Sequence, residues 1–241
     1  MKQSIFSIIS NEKIAKDVFK MILSGDTSDI TASGQFVNIK IEGLYLRRPI
    51  SVCDYDSKTL TLIYKVVGNG TEQMSKMKCG NLDILTGLGN GYNLDCGNNV
   101  LVIGGGVGVP PMFNLAKKLK AMNKKVVAIL GFNSSDDVFY EKDFSEICDS
   151  VYITTVDGSY GKKGFVTDAL KDLSYDYFYT CGPEPMLKAI YDATSTSGQF
   201  SFEERMGCGF GACMGCSCKT KYGNKRICKD GPVLVKEGII W

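Results

Sequence analysis

Histidine is missing from this chain of 241 residues, and tryptophan occurs only once. The absence of histidine excludes zinc sites of mixed Cys/His type, Ser-His-Asp catalytic triads and haem bound through histidine. No apolar run approaches the ~18–20 residues of a membrane span, and the amino terminus lacks the small-residue cleavage site of a signal peptide. We therefore expect a cytoplasmic protein with no membrane partner.

An excess of charge of either sign is also missing. The formal net charge is +2, and no run of five basic residues occurs, so nucleic-acid binding has little electrostatic support. The chain is longer than the ~100–200 residues typical of one domain, which predicts two domains and an appendage.

Cysteine, by contrast, is abundant and unevenly placed. Five of the ten cysteines are scattered through the chain, and five lie within 21 residues near the carboxyl terminus: Cys208, Cys213, Cys216, Cys218 and Cys228. A disulfide scaffold would spread its cysteines more evenly, and a reducing cytosol disfavours disulfides. Crowded cysteines of this kind indicate a metal site.

The pattern of apolar residues divides the chain into three parts. Residues 1–97 contain six short runs rich in Val, Ile, Phe and Tyr, which predict an antiparallel β-barrel. In residues 98–197, apolar strands alternate with helical segments, which predicts an α/β domain with a parallel sheet. Residues 198–241 are rich in Gly and Cys and have little helical periodicity. We therefore expect a β-barrel plus α/β fold with a small carboxyl-terminal cluster domain.

The spacing of the crowded cysteines is C-x4-C-x2-C, followed by a distant cysteine. This spacing is typical of plant-type [2Fe–2S] sites, and the glycines between the cysteines allow the sharp turns that such a loop needs. A zinc site and free thiols are the alternatives, although zinc knuckles favour C-x2-C pairs and only one is present. Cys218 lies too near its neighbour to be favoured as the fourth ligand, so the predicted ligands are Cys208, Cys213, Cys216 and Cys228.

Two glycine- or proline-rich turns join predicted strands to predicted helices. The first contains Gly104, Gly105, Gly106 and Gly108, and the second contains Cys181, Gly182 and Pro183. In open α/β sheets ligands bind at the carboxyl ends of the strands, so both turns could line one nucleotide crevice. The first helix would add free N–H groups and a positive dipole end for a phosphate. Alternatively, these glycines are needed only for tight packing and do not bind a phosphate.

The barrel region offers a second phosphate site. Arg47 and Arg48 precede a proline in a strand, where they are either a solvated edge or an arginine fork for a pyrophosphate. A later strand ends near Gly70 and Thr71, whose N–H groups open a short helix and could hold the same pyrophosphate. Each motif alone is weak evidence for a pyrophosphate site. Their occurrence on one small barrel strengthens that prediction.

Taken in order, these motifs resemble the ferredoxin-NADP reductase superfamily and, within it, the electron transfer subunits of type B dihydroorotate dehydrogenases. The resemblance covers nearly the whole chain and implies FAD, NAD and a [2Fe–2S] cluster. It implies FAD contacts at Arg48, Pro49, Ile50, Ser51, Ile63, Tyr64, Lys65, Gly70 and Thr71. Lys65 stands where the family often has Arg, which removes a planar fork at that position.

The same resemblance implies a partner. An FMN-containing dihydroorotate dehydrogenase catalytic subunit would oxidise dihydroorotate, in a heterotetramer of two subunits of each kind, and electrons would pass through this chain to NAD⁺ in pyrimidine biosynthesis. Alternatives are a reductase subunit of a sulfhydrogenase or of a bifurcating transhydrogenase, and a zinc-bearing interaction module. Asp136 and Asp137, in the loop after the second α/β strand, would repel a 2′-phosphate and predict NAD rather than NADP.

Overall fold

The computed structural model describes residues 1–241. Six strands form a closed antiparallel barrel in the order β1-β2-β5-β4-β3-β6. Their bounds are Lys2–Ala15 (β1), Val18–Ser24 (β2), Phe36–Ile39 (β3), Arg48–Tyr55 (β4), Thr59–Lys65 (β5) and Asn81–Leu88 (β6), with helix α1, Asn69–Lys76, between the last two. The predicted barrel is therefore confirmed.

Strand β3 is buried on both faces, unlike a strand of an isolated barrel. Val37 and Ile39 point into the barrel core, whereas Phe36 packs beside Cys216 and Cys228. Successive side chains of a strand point to opposite faces, so the outer face of β3 is the one covered by the carboxyl-terminal segment.

The second region contains a seven-stranded sheet in the order β10-β9-β8-β7-β11-β12-β15. The strands are Asn99–Gly105 (β7), Lys125–Phe132 (β8), Ser150–Thr155 (β9), Lys162–Lys163 (β10), Tyr177–Cys181 (β11), Gly198–Ser201 (β12) and Val233–Val235 (β15). All neighbours pair in parallel except β15, which is antiparallel to β12. The predicted α/β class is confirmed.

Four helices accompany this sheet: Val109–Ala121 (α2), Glu141–Ser145 (α3), Val166–Leu170 (α4) and Glu184–Ala193 (α5). Helix α2 also joins the sheet to the barrel. Asn114 donates to the Asp54 carboxylate at 2.7 Å and accepts from the Ser33 hydroxyl at 2.6 Å, and Lys117 pairs with Asp54 at 2.6 Å. No helix has both the length and the apolar character needed to cross a membrane.

The carboxyl-terminal segment adds the hairpin β13–β14, Ser217–Thr220 and Gly223–Arg226. The chain reverses at this hairpin, where Gly223 has a φ of +92°. Strands β12 and β15, which the sequence pattern placed in the third domain, lie in the seven-stranded sheet. The cluster segment is therefore anchored to the sheet at both ends, and its boundary at residue 198 stays a prediction.

Candidate functional site

The two arginines at the start of β4 have different surroundings. Arg47 makes a two-point ion pair with Asp83, with Nη1–Oδ1 and Nη2–Oδ2 distances of 3.0 and 3.1 Å. Burial raises the pKa of the Asp83 carboxyl, but the hydrogen bonds and charge of Arg47 outweigh burial and hold that pKa below its usual range. Arg47 is therefore tied to strand β6.

Arg48, in contrast, lies against the first turn of α1. A β-carbon at Gly70 would overlap the Arg48 guanidinium. The only hydrogen bond of this side chain is from Nη1 to the Leu46 carbonyl. Because a guanidinium has five N–H donors, most of them stay available to an anion at this turn.

The start of α1 supplies further donors beside Arg48. The N–H groups of Asn69, Gly70 and Thr71 have no backbone acceptor, as expected in a first helical turn. The Thr71 hydroxyl is engaged locally, since it accepts from the Val67 N–H at 3.0 Å and donates to the Gly68 carbonyl at 3.0 Å. A phosphate would therefore meet the backbone of Thr71 rather than its hydroxyl.

The predicted FAD segment on β5 is only partly accessible. Ile63 and Tyr64 are buried, and the Tyr64 hydroxyl donates to Asn11 at 3.0 Å. Burial raises the pKa of Tyr64 to about 12. Lys65 is 38% exposed and lies 3.9 Å from Asp137 in the loop after β8. The Lys65 side chain thus points toward the loop after β8, and only the backbone of Ile63 and Tyr64 is left for a ligand.

The two turns of the parallel sheet are in direct contact with each other. Strands β7 and β11 are neighbours, with Gly104 opposite Cys181. A β-carbon at Gly108 would overlap the Cys181 carbonyl, and one at Gly105 would overlap Met186. These glycines therefore serve tight packing, and that packing brings both predicted turns to one crevice at the carboxyl edge of the sheet.

Gly106 is the exception within the first turn. Its φ is +52°, and a β-carbon there would have no neighbour within 4 Å. Helix α2, however, does not offer the free N–H groups expected from the sequence. Pro110 and Pro111 have no N–H, and Val109 donates to the Gly106 carbonyl. That expectation is wrong, and a phosphate in this crevice would meet the backbone of residues 106–108.

The second turn begins α5. Pro183 is the residue before the helix and accepts the Met186 N–H at 2.9 Å, while a β-carbon at Gly182 would overlap the Met186 side chain. Burial raises the pKa of the Cys181 thiol to about 12, although a hydrogen bond with Ser201 opposes the shift. Cys181 is therefore a neutral thiol at physiological pH.

The four predicted cluster ligands form two pairs. Backbone N–H contacts to sulfur link Cys213 with Cys208 and Cys228 with Cys216. The N–H groups of Ala212 and Cys213 lie 3.3 and 3.4 Å from Cys208 Sγ, and the Cys228 N–H lies 3.4 Å from Cys216 Sγ. Burial raises the pKa of Cys208, but backbone N–H donors outweigh burial and lower it to about 6.

This arrangement fits a two-iron cluster. No group of three or more Cys, Asp or Glu side chains is gathered around a single point. Two thiol pairs, each with N–H donors to sulfur, match the four thiolates and outer hydrogen bonds of a [2Fe–2S] site. Cys218 is half-buried on β13, and burial raises the pKa of its thiol. It belongs to neither pair.

Two polar contacts that were not predicted from the sequence hold the ligand loop. Arg226 donates from Nη1 to the Gly211 carbonyl at 3.0 Å and pairs through Nε with Asp230 at 3.0 Å. Asn38 donates from Nδ2 to the Cys208 carbonyl at 3.2 Å. The four-residue spacing of Arg226 and Asp230 is a usable signal for the first contact, whereas nothing in the sequence marks Asn38.

The acidic loop after β8 lies against the barrel. Asp137 accepts a hydrogen bond from Ser134 at 3.1 Å and lies near Lys65, and the Asp136 carbonyl accepts the Lys16 N–H at 3.0 Å. The Asp136 side chain is exposed. Asp136 is therefore the side chain better placed to repel the 2′-phosphate of NADP, and the preference for NAD stays a prediction.

Comparison with known proteins agrees with these sites. Residues 203–239 match the iron–sulfur cluster binding domain of dihydroorotate dehydrogenase B, and residues 102–192 match an oxidoreductase NAD-binding domain. The dihydroorotate dehydrogenase B (NAD(+)) electron transfer subunits of Fusobacterium nucleatum and Geobacillus sp. are each 43% identical to this chain. The shared region covers 99% of both chains for the first and 97% of both for the second.

Solved structures show the same architecture. A structure of an NADH-dependent reduced ferredoxin-NADP oxidoreductase, solved in work on flavin-based electron bifurcation, has a TM-score of 0.90 and 31% identity, and it covers 98% of this chain and 90% of its own. A Neisseria gonorrhoeae ferredoxin NADP⁺ reductase with bound FAD and NADP shares the fold, with a TM-score of 0.70 and 16% identity over 80% of this chain and 90% of its own.

These findings confirm the resemblance predicted from the sequence and the predicted cofactor set of FAD, a [2Fe–2S] cluster and NAD. The matched domains are those of an oxidoreductase subunit that works with a catalytic partner. This chain belongs to the family of electron transfer subunits of dihydroorotate dehydrogenase B.

Proposed function

We propose that this chain passes electrons from the FMN of a dihydroorotate-oxidising catalytic subunit to NAD⁺, by way of a [2Fe–2S] cluster and FAD, in pyrimidine biosynthesis. The complex contains two subunits of each kind and works in the cytoplasm, a reducing compartment that suits ten free cysteines. Bound flavin accepts single electrons and releases a pair as hydride, which a one-electron cluster cannot do.

The observation that carries this proposal is the position of the thiol pairs relative to β4. The ligand loop rests on the outer face of β3, and β3 pairs with the β4 segment Arg48, Pro49, Ile50 and Ser51. A cluster held by Cys208, Cys213, Cys216 and Cys228 would thus lie one strand away from the proposed flavin-binding segment.

The chain's own residues bind and orient the other two cofactors. Arg48 and the N–H groups of Asn69, Gly70 and Thr71 neutralise the FAD pyrophosphate. Pro49, Ile50 and Ser51, with Lys65 and the backbone of Ile63 and Tyr64, line the rest of the flavin site. Residues 104–108 and 181–183 form the crevice for NAD, with Gly106 at the point of closest backbone approach.

Exposed apolar side chains support a protein partner at the cluster. Tyr45 is fully exposed, and Leu46, Phe210 and Met214 are also exposed. Tyr45 and Leu46 share a surface cleft with Cys208 and Cys213. Exposed apolar groups beside a redox centre are suited to a partner that must approach that centre closely, which is the place for the FMN-containing catalytic subunit.

A reductase subunit of a bifurcating complex is the second candidate, because the NADH-dependent ferredoxin-NADP oxidoreductase structure superimposes over 98% of this chain. Anaerobic co-purification with the FMN-containing subunit, cofactor analysis and an assay of dihydroorotate-dependent NAD⁺ reduction separate the two. We expect FMN, FAD and two irons per pair of subunits and NADH formation from dihydroorotate. A complex that contains the cofactors but reduces NAD⁺ only when reduced ferredoxin is the electron donor would favour the second candidate.

A further inference from the structure

Asn38 lies between the cysteine loop and β4, the strand that carries the proposed flavin-binding segment. Its side chain is 1% exposed, although asparagine is mostly a surface residue. Its Nδ2 donates to the Cys208 carbonyl at 3.2 Å. A β-carbon at Gly209 would overlap the Asn38 amide. The residue therefore touches the backbone of a cluster ligand and of the residue after it.

The strand register places Asn38 beside the proposed flavin segment as well. In the β3–β4 pair Asn38 is opposite Pro49, and Phe36 is opposite Ser51. Directly opposite residues project from the same face of an antiparallel pair. Asn38, Pro49 and Ser51 therefore share the outer face of the barrel, next to the segment that carries the cysteines.

The other half of the Asn38 amide has no partner. Oδ1 is buried and accepts no hydrogen bond, and a buried unsatisfied acceptor costs about 1–3 kcal/mol. Amide oxygen and nitrogen diverge from one carbon, so an amide that binds the Cys208 carbonyl through Nδ2 presents Oδ1 to a different neighbour. An N–H donor of the bound flavin ring, or of the cysteine loop once the cluster is bound, would satisfy Oδ1.

We propose that Asn38 is a positioning residue that fixes the Cys208 ligand, and with it the cluster, at a set distance from the flavin. This inference rests on the proposed function. It requires that loss of the Nδ2 bond frees the Cys208 backbone, which changes both the magnetic signature of the cluster and the rate at which electrons cross between flavin and cluster. Loss of an outer-shell partner of a metal ligand typically costs about 10- to 100-fold in metal affinity or activity.

The test compares Asn38→Leu, Asn38→His and Asn99→Leu with wild type in the full chain loaded with FAD and cluster. Asn99 is the matched control, since its Nδ2 also donates to a carbonyl, that of Ser174 at 2.8 Å, and its Oδ1 is also unpartnered. Asn99 begins β7, at the opposite end of that strand from the nucleotide crevice. Asn38→His keeps a planar N–H donor and is the conservative variant.

Each protein is mixed anaerobically with NADH, and flavin and cluster absorbance are followed separately, with electron paramagnetic resonance of the reduced cluster. For Asn38→Leu we expect an unchanged flavin phase, a cluster phase slowed about tenfold or more and shifted g values. Asn38→His should restore the rate, and Asn99→Leu should match wild type. If Asn38→Leu cannot hold iron while the other two can, the proposal is also supported.

Wild-type rates and g values in Asn38→Leu would overturn the proposal, as would equal changes in Asn99→Leu. Iron loss in both Asn38 variants would overturn it too, because the restored donor would then have no effect. An iron-free, colourless wild-type protein would instead reject the proposed function.

Discussion

The guanidinium of Arg48 lies against the backbone of Gly70, so that any β-carbon at residue 70 would overlap it. This contact joins strand β4 to the amino-terminal turn of α1, and it places a cation beside three N–H groups without backbone acceptors. The relationship explains why a glycine is required at residue 70, whose contribution to the FAD site is to leave room for Arg48.

Gly70→Ala should therefore weaken FAD binding. The methyl group would displace Arg48, and hydrogen bonds to charged groups contribute about 1.5–3 kcal/mol, so FAD affinity should fall about tenfold or more. Gly68→Ala is the matched control, because a β-carbon at Gly68 meets nothing within 4 Å and its φ of 179° suits any residue. Fluorescence titration of flavin-free protein measures both; equal affinities in the two variants would contradict the assignment of Arg48.

The crevice between the two sheet turns depends on Gly108. Alanine there would overlap the Cys181 carbonyl, and overpacking of this kind costs about 1–3 kcal/mol. We expect Gly108→Ala to raise the KM for NADH about tenfold in a diaphorase assay, with FAD and iron contents unchanged. A KM equal to that of wild type would show that the turns do not form the NAD site.

The fourth cluster ligand can be tested by a pair of substitutions close together in the structure. Cys228→Ser should lose the cluster, because Cys228 lies beside Cys216, with its N–H 3.4 Å from Cys216 Sγ. Cys218→Ser should keep it, because Cys218 belongs to neither thiol pair. Iron and acid-labile sulfide analysis distinguishes the two variants. If Cys228→Ser kept two irons and Cys218→Ser lost them, Cys218 and not Cys228 would be the fourth ligand.

The Arg47–Asp83 pair predicts a pH dependence of stability. The pKa of Asp83 is lowered in the folded protein, so the pair stabilises the fold above the ordinary Asp value of about 3.9. That contribution is lost as pH falls through the lowered folded pKa. Asp83→Asn should therefore be about 1 kcal/mol less stable than wild type at pH 7, and the difference should shrink below about pH 4.

Urea unfolding of both proteins at several pH values measures this difference in the free energy of unfolding. Effects of acid on the cluster are common to the two proteins and cancel in the comparison. A difference between wild type and Asp83→Asn that stayed constant from neutral to acidic pH would contradict the role of the ion pair.

Much of the fold could be predicted because its signals are local. Alternating apolar residues mark the barrel strands, and continuous apolar runs such as that of β7 mark the parallel sheet. The cysteine spacing was equally informative, since a short loop that binds two irons restricts the separation of its ligands.

The remaining features depend on contacts between distant segments. Arg47 and Arg48 are adjacent in sequence, but only Arg47 meets Asp83 across the barrel. Strand β15 is assigned to the sheet only by its pairing with β12. The missing donors of α2 follow from two prolines, a residue type that is also common in the first turn of a helix. Asn38 gave no signal, because its burial results from the carboxyl-terminal segment that covers β3.

The most direct test of the central proposal is dihydroorotate-dependent reduction of NAD⁺ by the purified complex that contains Cys213→Ser in this chain. We expect loss of the cluster and of NADH formation. Dihydroorotate should still reduce an artificial acceptor at the catalytic subunit, and NADH should still reduce one at FAD. Undiminished NADH formation by an iron-free Cys213→Ser complex would contradict electron transfer through the cluster.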